Sequence, residues 1–363
     1  MPQIEADEAQ AFCTRVFEAY GFEARDAARI ADSLVDADRH GISSHGIQRM
    51  RMYDERIRAG KIVVGEQGET VFETPVSALY DGRHGMGQIV ASNAMDIAVA
   101  KAEANGIGIV NVRHSNHFGA AGYYSRLAMD RGMWGVAATN SNPLMAPTHS
   151  ARAFLGSNPL SVGIRTEHDE FLLDGATTAA SLGKIEVLAR AGRPIEGTLA
   201  LRPDGTAIVD AREAVHDWRA DHGSVSLTPI GGAGETNAGY KGYGLGLLVE
   251  ILTSAIAGAP PSADLHSDDI SHILIAVDPA IFGDVAPINE RIDDMQRRIR
   301  ALPSYDGQPV RVPGDKERDA LRETDANGIT VSESTLDELR GIAERLNLDR
   351  PWNSGPRNAR NGA

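Results

Sequence analysis

The hydrophobic period of this chain changes near Val76, and that change limits the folds open to it more than any motif does. Before it, apolar residues recur at helical spacing. Phe12, Val16, Phe17 and Tyr20 form one stripe, which Gly21 ends, and Ala27, Ile30, Ala31, Leu34 and Val35 form a second. A third helix is expected to start at Ser43 or Ser44, either of which can cap it, and to bury Ile47, Met50, Tyr53 and Ile57. After Val76 the pattern alternates: a strand over 77–80, a helix over 88–104, a strand over 108–112, a helix over 119–131 and a strand over 133–139. A β-α-β alternation of this kind indicates an α/β lobe. Further on, 159–164 and 170–173 read as paired strands, 241–257 as a strongly apolar helix and 259–269 as a loop. A strand over 272–278, helices over 288–302 and 332–346 and a frayed tail over 351–363 complete the reading.

With 363 residues the chain can bury a sizeable core. Fifty acidic residues against 36 basic ones give a net charge of -14, so the electrostatic footprint of a nucleic-acid or anionic-membrane binder is missing. A small anionic substrate would need cations placed locally. One cysteine, Cys13, excludes an internal disulfide and a cysteine-based zinc site, which fits a reducing compartment. Met1 to Glu8 carries polar and acidic residues where a signal peptide would need a basic then apolar run, so none is expected, and no uninterrupted apolar stretch is long enough to span a bilayer. The expectation is a cytoplasmic protein with neither a membrane nor a nucleic-acid partner.

Four of the eleven histidines fall in two polar clusters. The first runs Arg39-His40-Gly41-Ile42-Ser43-Ser44-His45-Gly46-Ile47-Gln48-Arg49, the second Arg113-His114-Ser115-Asn116-His117-Phe118-Gly119. If a helix starts at Ser43 or Ser44, His45 lies in its first turn and Arg49 one turn on, on the same side. A carboxylate would then meet a guanidinium and free N–H groups while the imidazole exchanges a proton with a hydroxyl or carbonyl. The plainer reading leaves the serine as a cap and His45 as a partner for a backbone carbonyl. His117 follows a strand and opens a helix, where ligands gather in α/β structures; it could be a second catalytic acid or base or a hydrogen-bond donor to a cofactor, and Phe118-Gly119-Ala120-Ala121-Gly122 would let a flat or phosphorylated group approach the backbone.

Glycine fingerprints point away from the common nucleotide folds. Gly82-Arg83-His84-Gly85-Met86-Gly87 lacks Gly-x-Gly-x-x-Gly spacing, and Gly106 and Gly108 precede their strand where a Rossmann turn would follow it. Gly239-Tyr240-Lys241-Gly242 lacks the upstream glycine and the hydroxyl residue of a phosphate loop. No metal is expected: His114 and His117 have no nearby acid, and His40 is separated from His45 by the expected cap.

Taken together, the motifs resemble those of the malate/L-lactate dehydrogenase family of the non-Rossmann type. The likeness is carried by Asp38-Arg39-His40-Gly41, Ser44-His45-Gly46, Arg49, Gly106-Ile107-Gly108, Ser115-Asn116-His117-Phe118-Gly119, Thr139-Asn140-Ser141 and Asn158-Pro159. Asp174, Ala176-Thr177, Gly183-Lys184, Lys241-Gly242-Tyr243-Gly244-Leu245, Asp278-Pro279 and Val312-Pro313-Gly314 continue it. The resemblance implies an α/β fold with a mixed, mostly antiparallel sheet flanked by helices, and a helical lobe formed by the two chain ends. The expected division is 1–70 for the helical lobe carrying the proton donor, 71–262 for the central cofactor domain, 263–350 for a segment returning to the helical lobe, and 351–363 for the tail.

The resemblance further implies a homodimeric, NAD- or NADP-dependent oxidoreductase of 2-oxo acids, or of cyclic imino acids in one branch. By that likeness His45 is the proton donor to the carbonyl, supported by Ser44, and Arg49 grips the carboxylate. His117 and Phe118, Gly119, Ala120 and Ala121 line the cofactor and substrate wall. Asn140, Ser141, Asp174, Ala176, Thr177, Lys241, Gly314 and Asp315 face the cofactor. Lys184 stands where the imine-reducing branch has an acid, which favours a second anionic group on the substrate, as in malate or sulfolactate. Two rivals are a cyclic imino acid reductase on the same fold and a metal-dependent lyase or hydrolase built on the histidines. The sequence departs from the family pattern at Thr198 after Gly197, at His272-Ile273-Leu274 and in the long glycine-rich run from Gly231 to Tyr240.

Overall fold

The computed structural model describes residues 2–221, 223–265, 269–349 and 351–352, so the tail expected to fray lies outside the described residues from 353 on. The chain begins with β1 (Gln3–Ile4), α1 (Ala6–Ala19), α2 (Ala24–Arg39), α3 (Met50–Arg58), β2 (Glu69–Glu73), β3 (Ser77–Asp81), α4 (Gly87–Asn105) and β4 (Ile107–Ser115). Next come α5 (Ala121–Met129), β5 (Trp134–Thr139), β6 (Leu160–Arg165), β7 (Glu170–Gly175), α6 (Leu182–Arg190), β8 (Ala200–Leu201), α7 (Ala211–Ala220), β9 (Ser226–Leu227) and α8 (Gly239–Glu250). The remainder is β10 (Ile270–Val277), α9 (Val285–Arg300), α10 (Asp315–Asn327), β11 (Ile329–Thr330) and α11 (Glu333–Arg345). These elements form two compact units, Met1–Gly60 with Glu317–Ala363, and Lys61–Lys316.

In the helical unit the two ends of the chain come together. β1 pairs antiparallel with β11, Ile4 opposite Ile329, and α11 packs on α3. Most of the stripes read from the sequence are buried: Phe12, Val16 and Phe17 on α1, and Ala27, Ile30, Ala31, Leu34 and Val35 on α2, whereas Tyr20 caps α1 and is only half-buried. Each large apolar side chain among them contributes about 1.5–3 kcal/mol by leaving water.

The third helix does not start where its serines suggested. Ser43–His45 and Ile47–Arg49 are two short 3₁₀ turns with no side-chain cap, and α3 begins only at Met50. The reason is Gly46, extended at φ -81° and ψ -155°, whose missing Cβ would stand 2.0 Å from the Asp38 carboxylate. Asp38 in turn accepts the Ile47 N–H at 2.8 Å. The missing side chain is what lets the extended Gly46 lie against that buried acid, and its extended backbone separates the two turns.

In the second unit a seven-stranded sheet runs β2-β3-β4-β10-β5-β6-β7, in which only β3 and β4 are parallel. β10 enters between β4 and β5, with Ile273 opposite both Asn111 and Ala138. Its near-continuous burial is what a strand covered on both faces requires. Strand alternation sends Val110, Val112, Ala137, Leu274 and Ala276 into a core with α4 and α5, and Ala138 and Ile273 toward Val249 of α8. At Gly108 a Cβ would meet the Ala98 carbonyl at 1.9 Å, so this glycine serves close contact between α4 and β4. A smaller cluster, with Ile185, Ile195, Ile208, Ala211 and Leu227, lies under α6 and α7.

The long apolar helix expected over 241–257 is regular only to Glu250. It then widens into a π turn over Ile251–Ala255, where Thr253 and Ser254 hydroxyls donate to the Val249 and Glu250 carbonyls. Such turns mark places where a helix accommodates an inserted residue, often beside a functional site.

Candidate active site

Ser44, His45 and Arg49 of the helical unit are gathered by the two 3₁₀ turns. The Ser44 hydroxyl is 2.9 Å from His45 Nδ1, and Arg49 Nε donates to the Ser44 carbonyl. Burial, and then the Arg49 cation, push the His45 imidazole down to about 4 from an ordinary 6.5. The ring is therefore neutral at physiological pH. Among the described residues no carboxylate pairs with Arg49. Beneath this turn, burial pushes Asp38 up to about 7 while the Ile47 N–H pulls the other way. His40, the other histidine of the cluster, is bonded through Nδ1 to the Asp36 carbonyl at 2.8 Å, a supporting contact within α2 and its cap.

Most of the positions expected to face a cofactor gather at one end of the sheet in the second unit. His117 sits after β4 with its Nδ1 accepting the Gly119 N–H at 3.3 Å, and Phe118, Gly119, Ala120 and Ala121 are buried as the chain enters α5. Asn116 fixes this loop by donating to the carbonyls of Lys61, His84 and Gly85. Gly87 lets the loop lie against α4, since a Cβ there would be 2.3 Å from the His117 carbonyl. Asp174, at the end of β7, accepts the Gly122 N–H at 2.8 Å and so caps α5 from across the sheet.

Asn140 and Ser141 follow β5. Ser141 Oγ accepts the Ser157 N–H at 3.0 Å, and Thr177 donates to the Ser157 and Asn158 carbonyls at 3.1 Å each. Ala176 precedes it, half-buried. The Ile230 N–H bonds the Thr177 carbonyl, and Gly242 packs on the Ile230 backbone, which places Lys241 at the start of α8. Lys241 is exposed, its ammonium 5.8 Å from the Tyr240 ring centroid.

Three expected positions stand apart from this set. Gly314 packs against Leu172 in the middle of β7 at φ +100°. The Asp315 carboxylate accepts the Val312 N–H and pairs with Arg300, which also holds Asp169. Lys184 is exposed in the first turn of α6, whose Ser181 cap accepts its N–H at 3.2 Å. In the second cluster His114 shares the Asp81 carboxylate with Arg113. Among the described residues no three His, Cys, Asp or Glu side chains are grouped to hold a metal ion, and no helix is long and apolar enough to cross a membrane.

Two buried polar residues escaped sequence reasoning. His272 is 0% exposed in the central strand, bonded through Nδ1 to Thr139 Oγ1 at 2.8 Å and through Nε2 to Ser115 Oγ at 2.9 Å. Its ring stacks on Phe118 at 4.4 Å, and Tyr124 stacks on the same phenyl at 4.6 Å. Glu250 is the second, 4% exposed at the end of α8. The available signal was its isolation: no other charged residue occurs between Lys241 and Asp264.

Residues 4–340 match the family model described as malate/L-lactate dehydrogenase. The malate dehydrogenase of Pyrococcus abyssi is 36% identical over 352 residues, 95% of each chain. The L-sulfolactate dehydrogenase of Methanocaldococcus jannaschii is 32% identical over 342 residues, covering 92% of this chain and 94% of its own. Among solved structures, the malate dehydrogenase of Entamoeba histolytica superposes with a TM-score of 0.93 at 29% identity, over 97% of this chain and 99% of the other. With the family model, a relative 36% identical and a superposing structure all matching along almost the whole length, the chain belongs to the malate/L-lactate dehydrogenase family.

Proposed function

We propose that this chain interconverts a malate- or sulfolactate-like 2-hydroxy acid and its 2-oxo acid with NAD or NADP, using His45 as the acid-base residue. The observation that carries the assignment is an imidazole kept neutral beside a guanidinium that has no carboxylate partner among the described residues. In the oxidation direction His45 takes the hydroxyl proton, Ser44 orients the ring through Nδ1, and Arg49 holds the substrate carboxylate in a two-pronged bond. The Arg49 cation disfavours imidazolium in the resting protein. A carboxylate seated on Arg49 offsets that repulsion, so the proton is accepted most readily when substrate is in place.

The sheet unit fits a nicotinamide dinucleotide. Among the described residues Lys241 offers a phosphate an ammonium with no carboxylate partner, and the buried Thr178 hydroxyl, Asn142 side-chain carbonyl and Gln88 amide have no hydrogen-bond partner. When bound, the nicotinamide supplies the hydride acceptor. The part assigned to His117, Phe118, Gly119, Ala120 and Ala121, and to Asn140, Ser141, Asp174, Ala176, Thr177, Lys241, Gly314 and Asp315, is to hold and orient that group.

Lys184 belongs to the same proposal as the cation for a second anionic substituent. So does a homodimer, supported by the exposed apolar face that runs along α8, its π turn and the residue after it, where Leu245, Leu248, Ile251 and Ile256 are 45–56% exposed. A cytoplasmic location accords with the single buried cysteine.

The test follows NADH and NADPH consumption against oxaloacetate, pyruvate, sulfopyruvate, oxalurate and a cyclic imine. A preference for the imine over every oxo acid would refute the substrate class. His45→Ala should lower turnover by roughly a hundredfold or more with cofactor binding intact. Near-normal turnover in that variant would move the proton to His117.

A further inference from the structure

Glu250 accepts five hydrogen bonds. Oε1 takes the Ser262 N–H at 2.7 Å, the Ser254 hydroxyl at 3.2 Å and the Asn140 amide at 3.5 Å. Oε2 takes the Ser262 hydroxyl at 2.7 Å and the Asn158 amide at 2.8 Å. No lysine or arginine pairs with it among the described residues. A carboxylate withdrawn from water without a cation is costly, so five donors aimed at one such group mark an arrangement the fold maintains at some expense.

The donors come from two sources. Ser254 and Ser262 belong to the turn and loop just beyond α8, and would serve to close that helix. Asn140 and Asn158 do not: they stand at the end of β5 and the start of β6, the segments that carry Ser141 and that Thr177 bonds. Asn140 also accepts the Ser271 N–H through Oδ1 at 2.8 Å, and Asn158 reaches the Gly246 carbonyl at 2.9 Å. Asn158 holds φ at +41°, an unfavourable conformation sustained by those two amide bonds to α8.

The geometry therefore runs through one carboxylate. α8 bears Lys241 near its start and Glu250 at its end, about 14 Å apart along a rigid rod at 1.5 Å per residue. Its far end is fastened to the segments carrying Asn140, Ser141 and Thr177. We infer that Glu250 is a positioning residue for the cofactor, a buried carboxylate that locks α8, and with it Lys241, to the loops after β5 and before β6. The inference rests on the proposed role of those residues in holding NAD or NADP. It assigns Glu250 no contact with the cofactor or the reacting atoms.

Three variants of the full-length protein test it. Glu250→Gln keeps the shape but turns one acceptor oxygen into an N–H₂ group facing donors. Asn158→Gly removes the tie from the other side, and glycine adopts φ +41° without strain. Ser262→Ala removes a donor that closes only the helix end. Dissociation constants for NADH and NADPH come from fluorescence titration, alongside Tm and the kcat and KM of the reaction.

Glu250→Gln and Asn158→Gly should each bind the preferred cofactor about tenfold more weakly, the effect of one disrupted buried hydrogen bond. Turnover at saturating cofactor should change much less. Ser262→Ala should lower Tm and leave the dissociation constant within about twofold. Unchanged affinity in folded Glu250→Gln or in Asn158→Gly overturns the inference, as does weakening in all three variants in proportion to Tm. A parent protein that binds neither NADH nor NADPH sinks the cofactor reading itself, whereas a binding parent with equally binding variants sinks only the role of Glu250.

Discussion

Replacing His272 by Phe should remove a large part of the protein's sensitivity to acid. The imidazole is 0% exposed, and burial pushes it from an ordinary 6.5 down to about 3. In the unfolded chain the same ring takes a proton below about 6.5, so between that pH and about 3 the unfolded state binds more protons than the folded one. Stability must therefore fall as pH falls through this window. The gap of about 3.5 units, at about 1.36 kcal/mol each, amounts to roughly 5 kcal/mol once the pH is below about 3.

A practical span from about pH 7.5 to about pH 5 samples about 1.5 units of that window, or about 2 kcal/mol. Phe keeps a ring against Phe118 and cannot titrate. It leaves the Ser115 and Thr139 hydroxyls without their imidazole partner at up to about 1–3 kcal/mol each, less where other bonds remain: Thr139 retains the Asn140 and Ser271 carbonyls and Ser115 the Asn116 carbonyl. Absolute stability will drop, so the quantity to read is the difference between the two pH values. Urea unfolding followed by tryptophan fluorescence should give a pH difference about 2 kcal/mol smaller in His272→Phe than in the parent. His45, held down to about 4, contributes equally in both proteins. An identical pH difference in the two would show that His272 is not a buried neutral imidazole, and would refute the reasoning.

Two further outcomes are expected. Lys184→Asp should reduce kcat/KM for a dianionic acid by about tenfold or more and affect a monocarboxylic one far less; steady-state kinetics with oxaloacetate and pyruvate read this, and unaffected values for both would remove Lys184 from substrate recognition. Leu248→Glu, placed in the middle of the exposed face of α8, should shift the mass measured by sedimentation from a dimer to a monomer with circular dichroism unchanged; a retained dimer would move the contact to another face.

What could be read from the sequence follows from how local each signal is. The strands over 107–115 and 134–139 and the helix over 87–105 can be read within a single window, the strands from short apolar runs and the helix from a long run rich in alanine that ends at Gly106. The position of β10 does not, because its partner β5 lies more than a hundred residues earlier and its apolar run is compatible with any interior place in a sheet. β2 and α10 were missed for the opposite reason: every residue of β2 is exposed and α10 buries none, so neither carries an apolar stripe. The third helix was misplaced because local pattern and caps agreed on Ser43 or Ser44, while a contact with the buried Asp38 decided the backbone at Gly46.

The candidate site divides along the same line. Ser44, His45 and Arg49 lie within six residues, and their mutual contacts survive the loss of the expected helix because the two 3₁₀ turns still bring serine to imidazole and guanidinium to backbone. His272 and Glu250 carry a different kind of signal. Each is the lone ionisable residue of an apolar stretch, and burying such a group is unfavourable unless a partner is waiting. The anomaly can be read from the sequence, but the partners cannot: Thr139 and Ser115 are 133 and 157 residues from His272, and Asn140 and Asn158 are 110 and 92 from Glu250. Thr139 and Asn140 are adjacent in the chain, so both residues bear on the same end of β5. A lone charge or imidazole inside an apolar element is thus a pointer to a place where distant segments must be joined, and here both pointers converge on the end of the sheet where most of the residues proposed to hold the cofactor gather.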